Sequence, residues 1–219
     1  MLKTNQSDSQ ECETIRLSHF VRSSQLLGPY KRFVIWVQGC CFSCIGCLAD
    51  KMRDSAGGYD ALVSQLAGLI YSSSDTEGIT ISGGEPFLQA QKLTHLIRAV
   101  RLRRDIGVIL YTGFSLEDPD FIKNGPAGAN ELIRCCDLII DGQYKQSLDD
   151  DRFGIGSSNQ KLNFITDRYR EEAERYYSSQ RARKAEIILS ASQSIMVGVP
   201  SERTLELFNE LTSGCTEDK

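Results

Sequence analysis

The sequence lacks several things, and each lack closes off a class of function. There is no basic excess: Lys and Arg total 25 against 29 Asp and Glu, a net charge of −4. The electrostatic footprint of a nucleic-acid binder is therefore missing. Long hydrophobic runs are absent too, since stretches such as 107–110 and 138–140 fall far short of the roughly 20 apolar residues a membrane-spanning helix needs. The polar segment 4–13 holds no apolar block of the kind a secretory signal carries, so a cytoplasmic protein is expected. Only two histidines occur. His95 falls in a helical stretch and reads as a surface or packing residue; no Ser/His/Asp hydrolase pattern or phosphate-binding glycine loop accompanies it. What the chain does have is 219 residues, 41% of them hydrophobic, which is enough for one core domain with an appendage. It also has eight cysteines.

Residues 1–13 are polar and read as a flexible lead-in. From there the pattern alternates. Strands are expected at 31–38, 78–82, 106–111 and 137–140, and helices at 59–71, 88–103, 117–123 and 129–135. This β-α-β-α-β-α-β order implies an α/β fold with a parallel sheet and crossover helices, either open or curled into a partial barrel. In both forms ligands gather at the carboxyl ends of the strands. Four polar or glycine-rich segments fall there: 39–47, 82–86, 112–114 and 141–142. After a Gly/Ser-rich stretch at 153–160, the remainder reads as a charged helix (167–183), a strand pair (186–190 and 194–199) and a last helix (201–211). The expected organisation is thus a lead-in at 1–13, a core at 14–165 and a C-terminal helix-hairpin-helix extension at 166–219.

Cys40, Cys44 and Cys47 are spaced C-x3-C-x2-C. A structural zinc site takes four protein ligands, commonly from two C-x2-C-type pairs, and no second pair with that spacing follows. Three close thiolates suit an iron–sulfur cubane, one of whose irons then stays open to a non-protein ligand. Cys41 is not needed for that spacing, Cys135 and Cys136 read as core residues, and Cys12 and Cys215 lie near the ends. Clustered cysteines also bind zinc, so a non-enzymatic metal-binding interaction protein is the alternative from another class. The second motif, Gly83-Gly84-Glu85-Pro86, follows a strand. Its glycines would let backbone approach a ligand, and Glu85 could accept a hydrogen bond from an ammonium group; the same residues also make an ordinary strand-to-helix turn.

Together the two motifs resemble the radical S-adenosylmethionine (SAM) enzymes. The resemblance implies a partial (βα) barrel with a small C-terminal α/β appendage. It also implies a [4Fe-4S] cluster on Cys40, Cys44 and Cys47, with SAM chelating the open iron. Reductive cleavage to a 5′-deoxyadenosyl radical and hydrogen abstraction from a substrate would follow. Gly46 before Cys47, Tyr111-Thr112-Gly113-Phe114, and DLIIDG at 137–142 followed by Ser157-Ser158-Asn159-Gln160 narrow the match over residues 20–162. They resemble the small activating proteins of anaerobic ribonucleotide reductases. By that resemblance Gly83, Gly84, Glu85 and Pro86 hold the SAM amino group, Thr112 and Asp141 lie near SAM, and Ser158 and Asn159 help close the site. Many members place an aromatic residue before the last cysteine to touch adenine. Gly46 stands there instead, and Phe42 or Tyr111 is expected to take that role.

The implied substrate is a polypeptide, either a glycyl-radical enzyme or a ribosomally made precursor peptide. The second is modified by splicease-like relatives that excise tyramine and leave a ketoamide. The 59 residues after Gln160 depart from the reductase activators and favour the precursor peptide. The strand pair could take up an extended peptide, and Tyr169, Ala173, Tyr176 and Tyr177 form a helical stripe able to dock a partner. A low-potential electron donor and a small peptide-recognition partner protein complete the expected associations.

Overall fold

In the computed structural model the described residues are 13–178, 182–189 and 194–213. The expected lead-in up to residue 12, Ser190, Cys12 and Cys215 lie outside them. A seven-stranded sheet forms the body. Its strands, in chain order, are β1 (Thr14–Ser24), β2 (Arg32–Val37), β3 (Tyr59–Leu62), β4 (Gly78–Gly83), β5 (Gly107–Thr112), β6 (Leu138–Asp141) and β7 (Lys161–Phe164), arranged β3-β1-β2-β4-β5-β6-β7. Strands β2, β4, β5 and β6 run parallel. The expectation of parallel strands alone needs correction, because β1 pairs antiparallel with β2 and β3, and β7 antiparallel with β6. The segment 59–71, expected as one helix, is split for the same reason: β1 offers an edge to Tyr59–Leu62, and the helix starts only at Val63.

Alternation along the parallel strands supplies apolar side chains to both faces. Phe33, Ile35 and Val37 point to one side, Val34 and Trp36 to the other. The first side is covered by helices α1 (Val63–Ser72), α2 (Ala90–Arg101) and α4 (Ala129–Cys135), with α3 (Pro119–Asn124) adding Phe121. Helix α2 buries Leu93, Leu96, Ile97 and Val100 at a spacing of three to four. Each such burial contributes about 1.5–3 kcal/mol. Cys135 and Cys136 belong to this core, with Cys136 Sγ donating to Leu132 O at 3.2 Å. His95 is half-exposed and meets Glu13 at 2.7 Å.

The second side is covered by the chain's last third. Helix α5 is confined to Arg170–Tyr176, not the expected 167–183. Glu171 and Arg175, four apart on this helix, meet at 3.5 Å on exposed side chains, and such pairs add only tenths of a kcal/mol. The tyrosine stripe is not a partner surface. Tyr169 and Ala173 are fully buried, and Tyr176 and Tyr177 nearly so, against Ile109, Leu138, Ile140, Phe153 and Ile155. The Tyr169 hydroxyl accepts from the fully buried Arg32 guanidinium at 2.7 Å and donates to Glu77, which also pairs with Arg32 at 2.7 Å. A charge taken out of water needs such partners. The antiparallel strands β8 (Ala185–Leu189) and β9 (Ser194–Gly198) follow, and Val197 of β9 packs on Val21, Leu27, Val34 and Trp36. Helix α6 (Glu202–Ser213) ends the described chain. No helix among the described residues is long and apolar enough to cross a membrane.

Candidate active site

Strand β2 delivers the cysteines to the carboxyl rim of the sheet. After Val37 the chain loops out and is stitched back at its root: Gly39 N donates to Met52 O at 2.8 Å, Cys40 N to Arg53 O at 3.1 Å, and Gln38 Nε2 to Asp54 O at 2.7 Å. The end of β4 lies directly against this root. Gly84 N donates to Val37 O and Glu85 N to Gly39 O, both at 2.8 Å. A Cβ on Gly84 would stand 2.1 Å from Gly39 O, and Gly83, at φ +107°, would place one 2.5 Å from Val37 O. The paired glycines are thus required by the contact between two strand ends. The same two glycines approach the cysteine loop on one side and line the cleft on the other.

Glu85 is buried, and its carboxylate accepts from Phe87 N and Thr112 Oγ1, both at 2.9 Å, and from Gly113 N at 2.8 Å. It ties the ends of β4 and β5 together. Burial pushes its pKa up to about 7, while the Phe87, Gly113 and Thr112 donors pull it back toward the acidic side. Burial likewise raises Cys40 to about 11 and raises Cys47. These thiols hold their protons at neutral pH and release them when a metal binds.

The three cysteines line one cleft of about 230 Å³ together with Gly83, Gly84, Glu85, Thr112, Phe42 and Tyr111. Among the described residues no three His, Cys, Asp or Glu side chains form a group for a single metal ion. A cluster, in which each thiolate meets its own iron, fits three thiols that line one cleft. Glycine backbone beside a buried carboxylate fits the charged amino-acid end of SAM. Cys41 is exposed and turns to a neighbouring hollow.

Other expected site residues are placed elsewhere. Asp141 does not line the cleft; its carboxylate accepts from Leu116 N at 2.7 Å, fixing the turn after β5, and it faces the neighbouring hollow. Ser158 is exposed, and Asn159 donates to Gln143 O at 2.8 Å on the same hollow's side. Gln160 reaches the cleft in their stead, accepting from Gly156 N and donating to Gly142 O, both at 2.9 Å. Pro86 is buried at the start of a 3-10 turn and does not line the cleft. Phe42 packs edge-on to Phe114 at 4.9 Å and covers Gly113, while Tyr111 donates its hydroxyl to Gly154 O and pairs with Tyr177 at 3.0 Å.

Sequence reasoning missed much of the cleft: Leu27, Trp36, Met52, Tyr144, Met196 and the turn at 198–200. Tyr144 follows the end of β6, so the strand-end rule had the signal for it. Nothing in the sequence marks the contribution of β9.

A family described as "4Fe-4S single cluster domain" matches residues 26–163. The anaerobic ribonucleoside-triphosphate reductase-activating protein of Enterobacteria phage T4 is 32% identical over 146 residues, covering 64% of this chain and 88% of that one. Its namesake in Escherichia coli K12 is 28% identical, covering 63% and 91%. The pyruvate formate-lyase 1-activating enzyme of Escherichia coli K12 is 27% identical over 130 residues, and only half of that longer protein is spanned. Among solved structures, QueE from Escherichia coli aligns over 94% of this chain and 79% of its own, at 13% identity and a TM-score of 0.41. The matched segment contains all three cysteines of the cleft and the Gly-Gly-Glu rim. The chain belongs to the 4Fe-4S single cluster domain family and is a radical SAM enzyme, with a [4Fe-4S] cluster and SAM as its cofactors.

Proposed function

We propose that this enzyme abstracts a hydrogen atom from a backbone position of a polypeptide, and that the polypeptide is a glycyl-radical enzyme of the anaerobic ribonucleotide reductase type. The observation that carries the reading is the convergence of Cys40, Cys44 and Cys47 with the Glu85-anchored rim on one cleft, in a chain similar over 88% of a reductase-activating protein. When bound, the reduced cluster supplies the electron for cleavage of the SAM sulfonium. The chain's own residues hold the reactants. Cys40, Cys44 and Cys47 ligate iron, and the backbone of Gly83 and Gly84 meets the amino-acid end of SAM. Glu85, kept in place by Thr112, sets the negative charge there. The sheet's curvature into a partial barrel would turn these strand ends inward. A low-potential donor must reduce the cluster, and radical chemistry on a polypeptide calls for an oxygen-free setting.

A second reading, hydrogen abstraction from a precursor peptide leading to tyramine excision, is favoured by one feature. Met196, Gly198, Val199 and Pro200, beyond the segment shared with the family, stand in the cleft wall, so the substrate side of the cleft is built partly by the extension. The test is anaerobic reconstitution with iron and sulfide, followed by quantifying 5′-deoxyadenosine from SAM and a strong reductant beside a Cys44→Ala control. Product that depends on Cys44 is expected. A glycyl-radical EPR doublet on added anaerobic reductase selects the first reading, and its absence with a working cleavage reaction rejects it.

A further inference from the structure

Two glycines flanking Tyr144, Gly46 and Gly156, leave room for its ring. Gly46, directly before Cys47, has φ +72°, and a Cβ there would stand 3.5 Å from Tyr144 Cε1 and 3.2 Å from the Gln146 side chain. On the other side, a Cβ on Gly156 would stand 2.9 Å from Tyr144 Cδ2. Tyr144 is thus held between the cysteine loop and the 153–160 loop, with its side chain lining the cleft. Its hydroxyl donates to Asp149 Oδ2 at 3.3 Å.

Asp149 is in turn gripped from the C-terminal extension. Arg183, whose side chain is only 5% exposed, donates Nη2 to Asp149 Oδ1 at 2.5 Å and Nη1 to Asp149 Oδ2 at 3.0 Å. Its donors also reach the Arg152, Ile155 and Gly156 carbonyls at 3.2, 3.2 and 3.3 Å and Pro200 O at 3.5 Å, and Nη1 stands 3.5 Å from the exposed Asp151 carboxylate. One guanidinium therefore fastens the loop that backs Tyr144 and the turn that follows β9, both of which line the cleft. A bidentate arginine–carboxylate pair is the geometry that fixes position best, and lysine does not replace it. Arg183 lies outside the segment shared with the family, residues 26–163.

We propose that Arg183 and Asp149 form a latch through which the C-terminal extension positions Tyr144 and the 198–200 turn as a wall of the SAM cleft. The extension is then part of the cofactor site. Arg183 and Asp149 act as positioning residues, since they reach the cleft through Tyr144 and the backbone they hold. The inference rests on this cleft being where SAM binds.

The test uses the full chain with its cluster, kept anaerobic, and SAM itself as the probe. SAM affinity is measured by equilibrium dialysis for wild type, Arg183→Met, Asp149→Asn, their double variant and Tyr144→Leu, with iron content and thermal midpoint recorded for each. Each single variant is expected to weaken SAM about tenfold or more at unchanged iron content, as lost outer supports do. The double variant should be no weaker than the worse single one, because both break one unit. Wild-type affinity in Arg183→Met, or additive losses in the double variant, would overturn the latch. Hydrogen exchange of the wild-type protein needs no variant: SAM should slow exchange at 196–199 as well as at 144–156, by linkage. Protection confined to the cysteine loop overturns the proposal even if the variants fail to fold. Absence of SAM binding in loaded wild type would instead overturn the assignment of the cleft.

Discussion

Replacing Gly84 with alanine should damage the protein before any ligand arrives, because the new Cβ would lie 2.1 Å from Gly39 O and 2.7 Å from Gly39 C. A carbon–oxygen contact rests near 3.3 Å, so the two strand ends must part by about 1 Å. That displacement stretches both Gly84 N to Val37 O and Glu85 N to Gly39 O, now 2.8 Å each. Two hydrogen bonds at a net 0.5–1.5 kcal/mol each, together with the strain of overpacking, come to about 3 kcal/mol. For a chain of this size that lowers the thermal midpoint by roughly 6–12 °C. Gly68 is the matched control. It lies exposed within α1, a Cβ there meets nothing within 4 Å, and Gly68→Ala should raise stability by about 1 kcal/mol through helix propensity. The assay is anaerobic thermal unfolding of the metal-free chain by circular dichroism, with iron per chain measured after reconstitution. Gly84→Ala should also load less iron, since the displaced atoms form the root of the cysteine loop. A Gly84→Ala protein with a midpoint within about 1 °C of wild type and a full iron load, defective only in SAM binding, would refute the reasoning. The glycine would then serve the ligand and not the loop.

Other outcomes follow from buried charge and buried surface. Glu85 has its pKa raised from 4.5 to about 7, so between those values the folded chain holds a proton that the unfolded chain has lost. Its contribution therefore declines as pH rises through that window, by roughly 3 kcal/mol at about 1.36 kcal/mol per unit. Glu85→Gln cannot titrate and leaves at least one of the donors Phe87 N, Thr112 Oγ1 and Gly113 N unmatched, at about 1–3 kcal/mol. The variant should be less stable than wild type at pH 5, with the gap closing toward pH 8; denaturant melts showing a constant gap would contradict this. Ending the chain at Thr166 should abolish cooperative unfolding, because it strips Tyr169 from the buried Arg32 and uncovers Ile109, Leu138 and Ile140. A soluble truncated chain with a sharp melt and intact near-ultraviolet dichroism would show the extension to be separable.

What the sequence revealed most clearly was what local pattern encodes. The runs around β2, β4 and β5 are strongly apolar, and the cysteine spacing is a chemical signature independent of fold. The rule that ligands collect at the carboxyl ends of parallel strands then located the cleft. Strand β1 escaped notice because its alternation is broken twice, by register shifts between Leu17 and His19 and between Val21 and Ser24. Its buried Ile15 and Leu17 do alternate with Arg16 and Ser18, but the alternation lapses at His19, Phe20 and Val21, which leaves the period-two signal only four residues long. Asp141 misled for a subtler reason. It sits at a strand end, as a ligand-binding residue should, yet its carboxylate is used to hold Leu116 N, a role that spacing cannot distinguish from cofactor binding.

The extension shows why an amphipathic pattern by itself does not name what covers it. Tyr169, Ala173, Tyr176 and Tyr177 would look the same on a helix facing a partner and on one facing its own sheet. What decides between them lies far away in sequence: Arg32 needs partners in the interior, and the Tyr169 hydroxyl, 137 residues on, is one of them. Once Tyr169 is fixed there, Tyr176 and Tyr177 follow onto the same apolar face, and the chain leaves α5 toward Arg183 and the 149–156 loop. The hairpin is then carried over the strand ends, where Met196 and Pro200 meet the cleft. A buried charge on the second strand thus explains why a segment beyond the shared domain reaches the cleft. It also sets the order of dependence: disrupting Arg32 should loosen the extension and the cleft together, whereas disrupting Arg183 should loosen the cleft wall and leave the tyrosine core in place.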